Sequence, residues 1–141
     1  MTVNQILGAK GKEVFSVTST ITVFEALGVM SEKNIGAILI IDNSVLMGIL
    51  SERDYARKIA LKAKSSKKTF VSEIMVKEVV TVKPSDSLDY CMELMDTKRV
   101  RHLPVIENDI IIGIISISDV VKAIIEIQKE TIKHLDSYIS Q

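Results

Sequence analysis

Apolar residues along this chain follow one order of patterns, and that order occurs twice. In each half, two short aliphatic runs flank a polar turn, at residues 37–41 and 45–50 and again at 103–106 and 110–115. Aliphatic runs of this length are typical of buried strands, and a polar turn between two of them favours a hairpin. Each half therefore predicts one β-hairpin.

The segments before and after each hairpin have apolar residues at helical spacing, which predicts helices there. Residues 22–33 begin with the spacing of a capping box, and a second helix follows Ser87. Short strands are expected before these two helices, at residues 14–17 and 79–82. Further helices are predicted at residues 1–8, at 53–63, and from 118 almost to the chain end.

The two halves superimpose with a constant offset of 65 residues and no gap. The matched pairs include Val17/Val82, Ile41/Ile106, Asn43/Asn108, Gly48/Gly113, Ser51/Ser116 and Asp54/Asp119. This offset predicts a tandem duplication of a β-α-β-β-α unit, an α/β fold of the α+β type. A unit of about 50 residues has little core of its own, so we expect the two sheets to pack together with pseudo-two-fold symmetry.

The predicted domains follow from the duplication. Residues 1–68 form the first repeat with an N-terminal helix and a linker, and residues 69–141 form the second repeat with an extended C-terminal helix. The linker contains Lys62, Lys64, Lys67 and Lys68, the only basic run, which we interpret as solvated.

One motif carries the candidate chemistry in each repeat. A glycine, an aliphatic strand, a serine and then an aspartate occur from Gly48 to Asp54 and from Gly113 to Asp119. An aspartate at a helix start is an acceptor-only group that can take two hydroxyl protons, beside backbone N–H groups that favour anions. The alternative is that Asp54 and Asp119 only cap their helices.

Composition and charge exclude several classes of protein. The formal net charge is zero, which argues against an obligate nucleic-acid binder. A single cysteine excludes an internal disulfide framework, and no stretch resembles a signal peptide or a membrane span. A cytoplasmic protein without membrane association is therefore expected.

No catalytic residue and no metal site are predicted. His102 and His134 have no matching ligands at metal-site spacing, and Cys91 falls within the apolar stripe of a helix. The chain has neither a glycine-rich dinucleotide fingerprint nor a phosphate-binding P-loop. An enzyme is the weakest of the functional hypotheses.

The repeat and its motifs resemble the cystathionine-β-synthase (CBS) domain, two of which in tandem form a Bateman module. The resemblance rests on the two Gly-to-Asp segments and on residues 99–105, and it covers nearly the whole chain. Residues 34–37, 51–55 and 135–139 are similar to the small stand-alone bacterial members.

The resemblance implies a non-catalytic regulatory module that binds adenine-containing ligands and senses energy or nucleotide state. The ligands of the family are AMP, ADP, ATP, sometimes NAD or S-adenosylmethionine, bound in two clefts between the repeats. By this pattern Asp54 and Asp119 accept from the ribose hydroxyls. The residues toward the phosphates would be Ser51, Arg53, Arg57, Lys83, Arg101, Ser116 and Ser118. The adenine pocket would be lined by Val17, Thr18, Gly36, Ala37, Ile38, Thr81, Val100, His102 and Pro104.

In the family each cleft combines the aspartate of one repeat with the strand starts of the other. Asp54 would then work with Thr81, Lys83, Val100, Arg101 and His102, and Asp119 with Val17, Thr18, Gly36, Ala37 and Ile38. The Asp54 cleft would gather the cations, which suit a phosphate or pyrophosphate. The Asp119 cleft has hydroxyls and no comparable local cation, so adenosine or the less charged end of a ligand is expected there. Arg101 and His102 could instead be a solvated strand start.

The final helix is longer and more apolar than one small module needs, which predicts a homodimer, head-to-head or head-to-tail. The alternative is that the tail folds back over its own core with the N-terminal helix. A second hypothesis for the whole chain is a dimerisation adaptor that no longer binds a ligand. Neither the regulated partner protein nor the choice of adenine ligand follows from the sequence.

Overall fold

The computed structural model describes residues 1–140, and Gln141, which the predicted second repeat includes, lies outside the described residues. The chain divides into two compact units. The first-repeat unit is Phe15–Val79. The second-repeat unit is Met1–Val14 together with the chain from Val80 onward. The first fourteen residues thus group with the second repeat in space, whereas the sequence boundary after residue 68 had placed them with the first.

The fold is the predicted mixture of helices with two small sheets. In chain order the elements are α1 (Val3–Lys10), β1 (Ser16–Val17), α2 (Val23–Lys33), β2 (Ala37–Asp42), β3 (Val45–Ser51), α3 (Glu52–Tyr55), a π-helical turn (Ala56–Ala60), α4 (Val71–Ile74), α5 (Leu88–Lys98), β4 (His102–Glu107), β5 (Ile110–Ser116) and α6 (Ile117–Ile139).

The first-repeat unit has a three-stranded sheet in the order β1-β2-β3. β1 runs parallel to β2, and β2 pairs with β3 in an antiparallel hairpin. Asn43 and Ser44 form its two-residue turn with φ of 49° and 67°. Two successive positive φ angles give the type I′ turn whose twist matches a hairpin. The core contains Val23, Ala26, Met30, Ile38, Ile40, Leu50, Ile59, Val71, Ile74 and Met75.

The second-repeat unit repeats the hairpin but not the third strand. β4 and β5 pair with the register of β2 and β3, including an irregularity at Val105 that matches the one at Ile40. The strand predicted at residues 79–82 is wrong, since only Val82 forms a bridge, to Val105. Pro104 stands where Leu39 stands in the first repeat. Because proline has no N–H to donate to a neighbouring strand, the parallel pairing shrinks to that single bridge.

The helix predicted at residues 53–63 is interrupted. It begins as α3 and continues as a π-helical turn over Ala56–Ala60, where Leu61 N–H donates to Ala56 O at 3.0 Å. This turn buries Ile59 and leaves the Leu61 side chain 80% exposed. Its counterpart in the second repeat is the unbroken start of α6.

The N-terminal helix α1 packs within the second-repeat unit. Thr2 caps it with a complete capping box, and backbone N–H groups of Val3 and Asn4 donate to Asp86 O and Pro84 O. The predicted stop at Gly8 is wrong, because the helix continues to Lys10 and ends at Gly11, whose φ is 105°. Only glycine adopts that φ readily, so Gly11 fixes the end of α1.

Two glycines allow the short helices to approach the sheets. A Cβ at Gly113 would lie 2.7 Å from Leu7 Cδ2 of α1, and a Cβ at Gly48 would lie 2.8 Å from both Met75 Sδ and Val76 O. Val3, Ile6 and Leu7 are buried on one hairpin just as Val71, Ile74 and Met75 are on the other. The two glycines of the duplicated motif therefore mark where a helix contacts each hairpin.

Gly48→Ala should destabilise the protein more than Gly113→Ala. The new methyl group would overlap the fixed carbonyl oxygen of Val76 in the first case, and the end of the Leu7 side chain in the second. Overpacking costs about 1–3 kcal/mol, and we expect Gly48→Ala near the top of that range. Urea unfolding measures the difference.

Gly28→Ala is the matched control, because nothing lies within 4 Å of a Cβ at this helical glycine. That variant should be stabilised by about 0.5–1 kcal/mol. Equal stability of Gly48→Ala and Gly28→Ala would contradict the close approach.

Candidate functional site

The serine and aspartate of the duplicated motif lock the start of a helix in both repeats. Ser51 Oγ accepts from Asp54 N–H at 3.1 Å, while Asp54 Oδ2 accepts from Ser51 N–H at 3.0 Å and from Ser51 Oγ at 2.9 Å. Ser116 and Asp119 repeat this capping box, with the corresponding distances 3.3, 2.8 and 2.9 Å. The serines are the N-caps, and the aspartates lie three residues further on.

Both aspartates cap their helices, but the cap uses only one oxygen of each carboxylate. In each carboxylate the capping bonds use Oδ2. An ionised carboxylate offers about four acceptor positions, so Oδ1 keeps its capacity for a further donor. The capping alternative and a ligand-binding task are therefore compatible at both positions.

Lys10 reaches the Asp119 carboxylate from the end of α1. Its Nζ donates to Asp119 Oδ2 at 2.6 Å and to Ile114 O at 2.5 Å. Lys10 is therefore a local cation of the Asp119 site that the predicted site residues did not include. The match of Val3, Ile6 and Leu7 with Val71, Ile74 and Met75 could have placed α1 beside the second hairpin.

Asp54 has a weaker cationic neighbour. Lys58 Nζ lies 3.6 Å from Asp54 Oδ1 on the next turn, and it donates to Ile74 O at 2.8 Å. Lys58 was not among the predicted site residues. Of the predicted ones, Arg53 lies partly buried in the first turn and Arg57 is exposed one turn later.

Backbone hydrogen bonds bring each strand start beside the helix start of its own repeat. Gly36 O accepts from Glu52 N–H at 3.0 Å, and Arg101 O accepts from Ile117 N–H at 2.8 Å. Ala37, Ile38 and Pro104 are buried in β2 and β4. A cavity of about 420 Å³ in the first-repeat unit includes the strand start, and its lining is Leu27, Met30, Ser31, Asn34, Ile35, Gly36 and Glu52.

The remaining predicted residues lie at other strand and helix ends. Val17 ends β1, and Thr18 follows with its Oγ1 3.0 Å from Thr20 Oγ1. Lys83 is exposed, and Thr81 and Val100 are partly buried. The assembly of these residues with an aspartate of the other repeat stays a prediction, as do all the ligand contacts.

Burial and charge set the protonation of the second-repeat site. Burial, together with the positive charge of Lys10, lowers the pKa of His102, so the imidazole is neutral at pH 7. Burial alone would raise the pKa of Asp119, but hydrogen bonds from Lys10 and Ser116 outweigh it and hold that pKa below 3.8. The site therefore contains one ionised carboxylate and one ammonium group.

Removing the Lys10 charge should reduce stability at neutral pH but not in acid. The lowered pKa of Asp119 contributes stability above pH 3.8 that is lost as the pH falls through the folded value. We expect Lys10→Met to cost about 1 kcal/mol at pH 6, and the gap to the wild type to shrink near pH 3. Urea unfolding across this pH range measures both.

Lys12→Met is the control for this experiment, because Lys12 forms no ion pair within residues 1–140. A gap between wild type and Lys10→Met that is the same at pH 3 and pH 6 would contradict the ion pair.

The other groups considered as reactive do not form a site in the described chain. Burial raises the pKa of the Cys91 thiol to about 11, with a further contribution from the negative charge of Asp86. Among residues 1–140 there is no group of three or more histidine, cysteine or carboxylate side chains placed to hold a metal ion. No helix in that range is long and apolar enough to cross a membrane. The cytoplasmic location stays a prediction.

Comparison with known proteins identifies relatives of the whole chain. The CBS domain family matches residues 10–61 and again residues 71–126. The mitochondrial CBS domain-containing protein CBSX3 of Arabidopsis thaliana is 37% identical over 98% of this chain and 71% of its own.

Solved structures with a similar fold are also proteins with CBS domains. A protein with CBS domains from Burkholderia ambifaria MC40-6 is 48% identical, with a TM-score of 0.87, over 89% of this chain and 95% of that one. The CBS domain pair of protein MJ0100, solved with 5′-methylthioadenosine and S-adenosyl-L-methionine, is 25% identical, with a TM-score of 0.77, over 88% and 95%.

Proposed function

Because this chain belongs to the CBS-domain family, as a tandem pair of such domains, we propose that it is a regulatory module that binds an adenine-containing ligand. The ligand class is AMP, ADP, ATP or NAD, held at the starts of α3 and α6. The module has no catalytic task, and it reports nucleotide state to a partner protein.

The observation that carries this proposal is the duplicated Ser–Asp cap. Two partly buried carboxylates occur at equivalent helix starts, each with Oδ2 committed to the cap. A vicinal diol such as ribose needs acceptor positions for two hydroxyls on one rigid group, and Oδ1, which the cap does not use, offers two lone pairs. Fixing the acceptor before binding reduces the ordering cost of binding.

The chemistry of the MJ0100 complex supports the adenine part of the proposal. Both molecules named with that CBS pair contain an adenosine group. Ala37 and Ile38 at the start of β2 are buried aliphatic residues beside the cap, and Pro104 is buried in β4. In the proposed complex a flat apolar base would lie beside these aliphatic strand starts, next to a polar sugar at the cap.

Asp54→Asn and Asp119→Asn should each weaken AMP binding by about 10- to 100-fold at the affected site. Asparagine keeps one oxygen for the cap but replaces the other acceptor with a donor, and a hydrogen bond to a charged group contributes about 1.5–3 kcal/mol. Calorimetric titration with AMP, adenosine and ATP measures the change.

Asp136→Asn is the matched control, since this exposed aspartate lies late in α6, far along the helix from its cap. Folding of each variant is checked by its unfolding temperature. Full AMP affinity in the folded Asp54→Asn, Asp119→Asn double variant would contradict the ribose contact.

The exposed face of α6 favours a second function, self-association, either beside ligand binding or as the adaptor function alone. Val120 and Ala123 bury one side of the helix, but residues 125–139 are all exposed within the chain. The alternative in which the tail folds back over its own core is therefore wrong. Ile132 and Leu135 are 60% and 53% exposed.

The exposed apolar residues of α6 have the spacing of a two-stranded coil. A stripe with alternating steps of four and three residues runs the length of the helix, through Val121, Ile125, Gln128, Ile132, Leu135 and Ile139. This is the seam of a heptad repeat, which pairs with a second seam of the same kind. A second copy of this chain supplies such a seam, so we propose a homodimer joined through α6.

Ile132→Glu with Leu135→Glu should convert the dimer to a monomer at micromolar concentration, because two charges would enter the seam. Light scattering measures the mass. His134→Glu with Ser137→Glu adds the same charges on the opposite side of α6 and should leave the dimer intact. A monomeric wild type would contradict the proposal, and a dimer that survives truncation after Glu126 would place the interface elsewhere.

A further inference from the structure

We propose that Lys10 is a specificity-determining residue of the Asp119 site, where its ammonium group selects a phosphorylated ligand over the corresponding nucleoside. The inference rests on the proposed adenine-ligand binding and adds to it a residue from outside the duplicated motif. The ammonium group of Lys10 neutralises Asp119. With a ligand present it becomes the cation available to a phosphate.

The position of Lys10 is fixed by the helix that carries it. It is the last residue of α1, whose buried side packs on β5 through Leu7. Gly11 ends the helix, and its N–H donates to Leu7 O at 2.7 Å. The side chain of Lys10 is 31% exposed and that of Asp119 is 11% exposed. The ammonium group thus lies at the solvent-facing edge of the site and can turn outward.

A ribose hydroxyl that approaches Oδ2 of Asp119 has to replace one of the donors that this oxygen now has. Oδ2 takes three hydrogen bonds, two from Ser116 and one from Lys10. The Ser116 bonds form the cap of α6, so the Lys10 bond is the one that a ribose hydroxyl can replace. An ammonium group has three N–H donors, and the bond to Ile114 O holds one of them in place. The donor that leaves Asp119 remains beside the site.

Charge then decides whether the released N–H of Lys10 favours a ligand with a phosphate group. A phosphate brought near ionised Asp119 is repelled unless a cation lies close. His102 is neutral, and Arg101 is exposed at the start of β4. Lys10 therefore contributes the nearest positive charge, and a charge-assisted hydrogen bond from it favours AMP over adenosine.

The Asp54 site lacks this arrangement. When Val71, Ile74 and Met75 are matched to Val3, Ile6 and Leu7, the residue that corresponds to Lys10 is Glu78. Lys58 lies on the helix of Asp54 itself, 3.6 Å from the carboxylate, with its Nζ bound to Ile74 O. The phosphate preference assigned to Lys10 should thus belong to one site only.

The test is the affinity for AMP and for adenosine in the full chain that carries Asp54→Asn, which leaves the Asp119 site to report. In this background Lys10→Met should lower AMP affinity by roughly 10- to 100-fold. Adenosine affinity should stay the same or rise, because a competitor for the carboxylate is gone. Lys10→Arg should restore the preference for AMP, and Lys12→Met should leave both affinities unchanged.

Salt gives a second measure of the same effect. The ratio of AMP to adenosine affinity should fall with ionic strength in the Lys10 form and change little in Lys10→Met. Equal changes in both affinities, or an unchanged AMP affinity in Lys10→Met, would overturn the phosphate role while the proposed function stands. Absence of AMP and adenosine binding in the wild type as well would overturn the proposed function and this inference with it.

Discussion

The capping box between a strand-end serine and the aspartate three residues later is the interaction on which both candidate sites depend. It turns the chain sharply from β3 into α3 and from β5 into α6. It also holds each carboxylate in one orientation, since two of its hydrogen bonds come from the same serine. A helix start that needs its aspartate for folding presents the unused oxygen of that aspartate at a fixed place. Stability and the proposed ligand recognition therefore rest on the same side chain.

Much of this arrangement could be predicted because its signals are local. The hairpins follow from aliphatic runs on either side of polar turns, and Thr22 caps α2 as its spacing indicated, accepting from Glu25 N–H at 3.2 Å. The offset of 65 residues identified equivalent positions in the two repeats without any structure. Local hydrogen bonding within four residues is encoded in the types and order of those residues, and this is why such features are readable.

The features that sequence analysis missed depend on contacts between distant residues. The contact of Lys10 with Asp119, 109 residues away, follows from the packing of α1 on β5, which only the match of Val3, Ile6 and Leu7 to Val71, Ile74 and Met75 indicates in the sequence. Pro104 is part of a family motif, but its effect on the pairing of residues 79–82 is visible only once the bridge between Val82 and Val105 gives the register. The π-helical turn after α3 could not be predicted from the motif either, because α6 starts from the same motif and continues as a regular α-helix.

The two repeats share the same backbone plan but differ in the side chains around each cap. These differences make the two candidate sites chemically unequal. Leu39 allows a two-residue parallel pairing that Pro104 shortens to a single bridge. Ser19 donates two hydrogen bonds to Asp42 just after β1, and Pro84 and Glu107 at the equivalent positions do not reproduce them. Lys10 adds a positive charge to the second-repeat unit, whereas the matched residue in the first-repeat unit is the negatively charged Glu78. Since the cap itself is conserved between the two halves of this chain, selectivity has to come from the residues around it. Under the proposed function, Lys10, which approaches the cap of α6 from α1, is then the side chain that would separate one ligand from another.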